Sequence, residues 1–150
     1  MIILLDLNFT LVANNQPRGA PLTSMHRRLP AEEYRQWLVD LVRPHTVVLM
    51  TARPDTWKDA TLASIREKTG WSPQSAWFAP AGWWNPPAIK EHLLRTEVFP
   101  VHGEEARYLA IESNPRTRTM YARIPIRSVW VAEGGERLTD GTRILRRLPR

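Results

Sequence analysis

Residues 1–6, Met-Ile-Ile-Leu-Leu-Asp, are the stretch that decides the fold expected for this chain. The run is apolar from its first residue and ends abruptly at Asp6. A short continuous apolar run is typical of a strand that is buried on both faces in a parallel sheet covered by helices. The run has neither the basic start nor the small-residue cleavage site of a secretory signal, so we expect a cytoplasmic protein.

Similar apolar runs alternate with helix-like segments along the rest of the chain. Four further strands are predicted at 46–50, 75–79, 107–112 and 127–132. Because proline favours the first turn of a helix, helices are predicted after Pro54 and Pro115, from Pro86 to about Thr96, and from Ala31 to Val42 just after Pro30. This alternation predicts an α/β fold, a Rossmann-like doubly wound parallel sheet of about five strands.

The composition is that of one packed domain over residues 1–150. Hydrophobic residues make up 43% of the chain and charged residues 24%, which excludes a disordered or low-complexity protein. No apolar run approaches the roughly 18 residues of a membrane span, so no membrane partner is expected. The absence of cysteine excludes disulfide scaffolds, thiolate metal sites and cysteine nucleophiles.

Two segments are predicted to lie outside the sheet and its helices. The segment 12–30 is too short for a lid domain and is expected to form a flap, so no large cap domain is predicted. The segment 133–150 forms a basic tail that contains Arg137, Arg143, Arg146, Arg147 and Arg150.

The net charge favours an anionic partner. It is +6, from 21 Lys and Arg against 15 Asp and Glu, and most of the cations are arginines. A guanidinium matches phosphate oxygens in a bidentate way, so a nucleic acid or a nucleotide is a candidate partner. The same charge equally suits a solvated surface that keeps a protein soluble.

Three predicted strands end in polar residues, which are Asp6, Thr51 and Glu112. Carboxyl ends of parallel strands meet at one edge of the sheet, so these side chains are expected around one crevice. A carboxylate such as Asp6 can attack phosphorus and give an aspartyl-phosphate, which divides a difficult hydrolysis into two easier steps.

Attack by a carboxylate on a phosphate also requires neutralising charge and hydrogen-bond donors. Thr51 can donate a hydrogen bond to a phosphate oxygen. Lys90, on the helix that Pro86 and Pro87 open, can balance the negative charges, and Glu112 can hold Mg²⁺ through oxygen.

These residues and their order resemble the haloacid dehalogenase (HAD) superfamily of phosphotransferases. Its four motifs correspond to Asp6-Leu7-Asn8-Phe9-Thr10, to Leu49-Met50-Thr51-Ala52-Arg53, to Lys90, and to Ala110-Ile111-Glu112-Ser113-Asn114. The resemblance implies that Asp6 is the nucleophile and that Asn8 and Lys90 share the catalytic site. It also implies phosphate binding by Thr51, Ala52 and Arg53, and Mg²⁺ held by Asp6, the carbonyl of Asn8, Glu112 and Asn114.

A closer likeness, to the 3′-phosphatase domain of bacteriophage polynucleotide kinase/phosphatases, rests on residues 108–126, on Ile89-Lys90-Glu91 and on the spacing of Thr51 and Arg53. It implies a phosphatase that acts on nucleic-acid 3′ ends. The chain has no Gly-Lys-Ser/Thr phosphate loop, so a kinase is not supported.

The first and fourth motifs each depart from the superfamily pattern. Asn8 stands where its phosphatases carry an acid–base Asp, and Ser113 replaces a second carboxylate. An amide cannot transfer protons, and general acid–base help is typically worth about 10²–10⁴-fold. Two alternatives therefore stay open: a small-nucleotide phosphatase, and a catalytically weak or silent phosphate-binding module.

Nucleic-acid contacts are expected from arginines and from one aromatic pair. The crevice is predicted to be open and flanked by Arg18, Arg27, Arg28 and Arg53. Trp83 and Trp84 are the aromatic residues expected to be exposed, where they could stack on a base. Packing of both rings against the edge of the sheet is the alternative.

Overall fold

The structure is a computed structural model that describes residues 1–16 and 23–131. Arg18 and the predicted basic tail at 133–150 lie outside the described residues.

A single sheet of five parallel strands forms the centre of the fold. The strands are β1 (Ile2–Asp6), β2 (Thr46–Pro54), β3 (Ser75–Ala79), β4 (Tyr108–Glu112) and β5 (Arg127–Trp130). Their spatial order is β3-β2-β1-β4-β5, and every neighbouring pair is parallel. The predicted α/β fold with a doubly wound parallel sheet is confirmed.

The helices are α1 (Met25–Ala31), α2 (Gln36–Val42), α3 (Lys58–Thr69), α4 (Pro86–Leu93), α5 (Phe99–His102) and α6 (Pro115–Arg123). A π-helical turn, Leu94–Val98, joins α4 to α5, so the helical segment continues beyond the predicted end at Thr96.

The predicted helix from Ala31 to Val42 is wrong, because an extended connection interrupts it. Residues 32–35 separate α1 from α2 and lie against the chain that leaves β1. Arg35 N–H donates to the Leu11 carbonyl at 2.8 Å, and Val12 forms an antiparallel bridge with Tyr34. These contacts between distant segments replace the helical hydrogen bonds that the local pattern favours.

The two faces of the sheet carry separate hydrophobic cores, because successive strand side chains point to opposite faces. Ile3 and Leu5 of β1 join one cluster with residues of α2 and α3, such as Leu38 and Ile65. Leu4, between them, joins the other cluster with residues of α4 and α6, such as Ile89 and Tyr121. Helices therefore cover both faces, which is why β1 is apolar throughout.

The order of the strands places a crevice beside β1. From β1 the sheet extends through β2 to β3 on one side. The chain then returns and places β4 and β5 on the other side of β1. Ligands of doubly wound folds bind at such a switch point, outside the carboxyl ends of the strands. Leu5 pairs with Ile111, so Asp6 and Glu112 are the next residues at this edge.

The described residues form no large cap over this edge. The described part of the predicted flap at 12–30 contains the bridge at Val12 and helix α1. Within residues 1–16 and 23–131, no helix has both the length and the apolarity that crossing a bilayer requires.

Arg35 connects the loop after β1 to the segment between α1 and α2. Its Nη1 donates to the carbonyls of Phe9 and Thr10 at 3.0 and 2.8 Å, and its side chain is buried. Arg35→Met would remove the guanidinium donor from both carbonyls, and we expect a loss of about 1–3 kcal/mol in the free energy of unfolding, measured in urea. Arg43→Met, a matched change at a half-exposed side chain of the same region, should cost less than about 0.5 kcal/mol. Equal losses in the two variants would contradict this role.

Candidate active site

A small pocket lies at the carboxyl ends of the central strands. Its volume is about 120 Å³, and it brings together seven of the residues expected in the site: Asp6, Asn8, Thr51, Ala52, Lys90, Glu112 and Asn114. Phe9, Pro86 and Ser113 complete its lining. These residues come from four separate stretches of the chain, so the fold assembles the pocket.

Lys90 links the two carboxylates of the pocket. Its Nζ donates to Asp6 Oδ1 at 2.5 Å and to Glu112 Oε2 at 2.6 Å. All three side chains are almost fully buried. Burial by itself would lower the pKa of Lys90, but the charges of Asp6 and Glu112 outweigh burial and hold that pKa above its ordinary value.

Two hydroxyl groups orient the second oxygen of Asp6. Thr10 Oγ1 donates to Asp6 Oδ2 at 2.6 Å, and Ser113 Oγ lies 3.3 Å from the same oxygen. Both Asp6 oxygens therefore accept hydrogen bonds from fixed donors. This fixes the carboxylate at the end of β1, as a positioned nucleophile requires.

Glu112 is held by the chain that follows it. The backbone N–H groups of Ser113 and Asn114 donate to Glu112 Oε1 at 3.1 and 3.0 Å. Burial, together with the negative charge of Asp6, raises the pKa of Glu112 to about 8, although Lys90 acts in the opposite direction. A further cation bound close to both carboxylates would reduce the repulsion that remains in the presence of Lys90.

A bulge in β2 brings Thr51 and Ala52 to the pocket. The pairing of β2 with β3 shifts register between Met50 and Pro54, and β1 pairs with β2 only up to Met50. Thr51 Oγ1 accepts a hydrogen bond from Arg53 N–H at 3.0 Å. Because a hydroxyl can accept and donate at the same time, Thr51 can still donate to a ligand.

Arg53 lies in a buried ion pair instead of flanking an open crevice, so the sequence-based expectation of an exposed guanidinium is wrong. Its Nη1 and Nη2 reach the two oxygens of Glu32 at 3.0 and 2.5 Å, and Nη1 also donates to Thr61. Glu32 lies in the 32–35 connection and is itself 5% exposed. Tyr34 Oη is 3.2 Å from Glu32 Oε1.

The same guanidinium fixes the side chain of Asn8. Arg53 Nη2 donates to Asn8 Oδ1 at 2.9 Å. A guanidinium only donates, so the amide oxygen of Asn8 must face Arg53 and the NH₂ group must point elsewhere. The side chain of Asn8, a residue that lines the pocket, can therefore act as a hydrogen-bond donor.

The pocket contains carboxylate and carbonyl oxygens, which are the type of ligand that a hard divalent cation prefers. Ser113 Oγ lies 3.3 Å from Asp6 Oδ2 and 3.4 Å from the Asn8 carbonyl, so the Ser113 hydroxyl is close to both oxygens. Asn114 Oδ1 instead caps α6 through Arg116 N–H at 2.9 Å. Mg²⁺ commonly binds one or two carboxylates and keeps several waters, which fits Asp6, the Asn8 carbonyl and Glu112. No group of three or more His, Asp or Glu side chains is placed to hold a metal within the described residues.

The other residues expected to bind nucleic acid lie outside this pocket. Arg27 and Arg28 line a neighbouring cavity of about 230 Å³ that also includes Glu32. Trp83 and Trp84 are exposed, at 43% and 91%, on the loop before α4. Of the two arrangements that the sequence left open, exposure is the one observed, and packing of both rings against the edge of the sheet is not.

The sequence did not predict several residues that shape the site. Glu32 carries no signal in the local pattern, because its partner Arg53 is brought to it by the fold. Thr10 belongs to the first motif, but no role in the site was assigned to it from the sequence. Phe9 adopts φ +61°, a left-handed conformation that residues with side chains rarely adopt. Its N–H donates to Asn15 Oδ1, which stabilises this turn directly after the predicted nucleophile.

No protein-family model and no curated protein matches the chain.

The raised pKa of Glu112 gives a prediction for cation binding. Burial and the charge of Asp6 raise the pKa of Glu112, so part of the metal-free protein carries a proton on Glu112 at lower pH, and a cation must displace that proton. Calorimetric titration with Mg²⁺ should therefore show affinity rising from pH 6 to about 8, by at most about tenfold per pH unit, and levelling above that.

Two variants distinguish Mg²⁺ binding in the pocket from Mg²⁺ binding at the surface in this titration. Glu112→Gln should weaken Mg²⁺ binding and flatten its dependence on pH, whereas Glu91→Gln, on the outer part of α4, should change neither. Affinity that is constant between pH 6 and 8 in the unmodified protein would contradict a role for Glu112.

Proposed function

We propose that this chain is a Mg²⁺-dependent phosphatase of the HAD type that forms an aspartyl-phosphate on Asp6. We propose that its substrate is a phosphorylated nucleic-acid 3′ end. The observation that carries the proposal is the buried contact of Lys90 with both Asp6 and Glu112, at the switch point of the sheet.

The first chemical step is attack by an Asp6 carboxylate oxygen on phosphorus. A bond forms between this oxygen and phosphorus while the bond from phosphorus to the leaving oxygen breaks, and its electron pair goes to the leaving group. Water then attacks the phosphorus of the aspartyl-phosphate, which releases inorganic phosphate and regenerates Asp6. Lys90 and Thr10 keep the carboxylate in place through both steps.

The charge of the pocket supports a need for a cation. When Asp6 and Glu112 are both ionised, they carry two negative charges against the one positive charge of Lys90. A phosphate entering a pocket of net negative charge is repelled unless further positive charge is present. When bound by Asp6, the Asn8 carbonyl and Glu112, Mg²⁺ would supply that charge.

Asn8 determines which leaving groups the site favours. Its NH₂ group can stabilise a developing negative charge by hydrogen bonding, but it cannot give up a proton. The leaving oxygen must then take its proton from solvent or depart as an anion. We therefore propose that hydrolysis is fastest for leaving groups of low pKa.

A second candidate, a phosphate-binding module with little turnover, is favoured by the same contact of Asn8 with Arg53. Asn8 is a neutral amide held by the buried guanidinium of Arg53. The pocket therefore has hydrogen-bond donors for a phosphate but no group at this position that could transfer a proton. A small-nucleotide phosphatase would use the same pocket with a smaller leaving group. Binding of beryllofluoride with Mg²⁺ but no hydrolysis of any phosphate ester would favour the module.

Asp6→Asn tests the nucleophile. The amide cannot attack phosphorus, so hydrolysis of an activated aryl phosphate and Mg²⁺-dependent binding of beryllofluoride should both be lost. The thermal transition should remain cooperative, because Lys90 keeps its pairing with Glu112. Asp55→Asn, an exposed carboxylate after the same edge of the sheet, is the control and should retain activity. Hydrolysis retained by Asp6→Asn would exclude an aspartyl-phosphate on this residue.

Asn8→Asp tests the leaving-group preference. The new carboxylate would share Arg53 with Glu32, and repulsion between the two carboxylates favours the retention of one proton. We expect kcat to rise more for an alkyl phosphate than for an aryl phosphate, by up to about 10²-fold. Gln36→Glu adds the same charge on the exposed side of α2 and should change neither rate. If Asn8→Asp leaves the ratio of the two rates unchanged, Asn8 does not face the leaving oxygen.

A further inference from the structure

A surface groove leads away from the pocket between the starts of α4 and α6. Two shallow cavities, of about 670 and 590 Å³, form this groove. The first shares Pro86 and Asn114 with the pocket around Asp6. The second shares Asn85 and Arg116 with the first. The groove is therefore continuous with the site at which a phosphate would react.

The charged side chains of the groove favour an anion. They are Arg95, Arg116 and Arg123, opposed by the single carboxylate of Glu91, which gives a net charge of +2 with His92 neutral. Glu91 lies 3.4 Å from Arg95 and 3.9 Å from Arg123, and both arginine side chains are at least half exposed. Cations spaced along a path suit a ligand with several phosphates more than a single anion.

The aromatic side chains of the groove are exposed on a defined loop. Trp84 is 91% exposed, and Trp83 packs its ring 4.7 Å from that of His92. The loop begins at a turn closed by Trp83 N–H to the Pro80 carbonyl, and it ends where Asn85 caps α4. A large apolar ring held in water at such a position is typical of a binding surface.

We propose that this groove binds single-stranded nucleic acid whose 3′ end enters the pocket at Asp6. Bases stack on Trp84 and Trp83, and backbone phosphates contact the arginines of α4 and α6. An exposed indole ring stacks on any unpaired base, whereas bases in a duplex are already stacked on one another. The reaction at the 3′ end of this strand is that of the proposed function, on which the groove proposal rests. The nucleic-acid strand then lies along α4 and α6 and not beside Arg27 and Arg28.

Binding of a short oligothymidylate with a 3′-hydroxyl end tests the groove without involving catalysis. In fluorescence anisotropy, Trp84→Ala should weaken binding by about 5- to 100-fold, because a stacked base contact is lost. Trp84→Phe should restore most of the affinity. Hydrolysis of an activated aryl phosphate should be unchanged in both variants, because that substrate does not extend into the groove.

Salt dependence tests the arginines. Replacing Arg116 and Arg123 together by Ala should reduce the log–log salt slope of oligothymidylate binding by about 1.4, since each contact with a single strand contributes about 0.7. Replacing Arg43, directly after α2, together with Arg66 of α3 gives the same change in charge on the other side of the sheet. That control should leave the slope unchanged.

The outcomes for the groove and for the proposed function are separable. If Trp84→Ala and the Arg116/Arg123 variant bind like the unmodified protein while Asp6 still supports aryl phosphate hydrolysis, the groove inference is wrong and the phosphatase stands. If oligothymidylate binding depends on Trp84 while no phosphate ester is hydrolysed, the groove stands and the phosphatase is wrong. If replacing Arg27 and Arg28 abolishes binding instead, the strand lies on the α1 side and the groove inference is overturned.

Discussion

The contact of one buried ammonium with two buried carboxylates is the constraint on which the rest of the site depends. Lys90 is separated from Asp6 by 84 residues and from Glu112 by 22. Removing three charged groups from water is costly, and only close mutual pairing offsets that cost. The helix that carries Lys90 must therefore pack against the carboxyl ends of β1 and β4. This packing gives the pocket its position at the switch point of the sheet.

A second buried pair, Arg53 with Glu32, determines the chemistry that the pocket can offer. Arg53 donates hydrogen bonds from Nη1 and Nη2 to the carboxylate of Glu32. Its Nη2 also donates to the amide oxygen of Asn8. The negative charge that pairs with Arg53 is that of Glu32, on the connection between α1 and α2. Asn8, which lines the pocket, is neutral. In the proposed phosphatase, a donor that cannot release a proton would give the site a preference among leaving groups.

Sequence patterns predicted the sheet and most of the pocket because both depend on local features. Buried strands such as β1 and β4 are continuous apolar runs, and the acids that follow them must meet at one edge. The break between α1 and α2 was not predictable, because residues 32–35 extend to meet a loop some twenty residues earlier in the chain. Glu32 belongs to that break, so its pairing with Arg53 was also missed. The exposed position expected for Arg53 failed for the same reason.

In the proposed mechanism Asp6 carries the phosphoryl group during turnover, and the site of covalent modification tests this. The protein would be mixed with an activated aryl phosphate and Mg²⁺, quenched in acid within the first turnover, and digested for peptide mass spectrometry. An aspartyl-phosphate intermediate on Asp6 predicts an acid-stable, base-labile phosphoryl group on the peptide that contains this residue. Turnover with no phosphorylated peptide, or with the group on another residue, would contradict it.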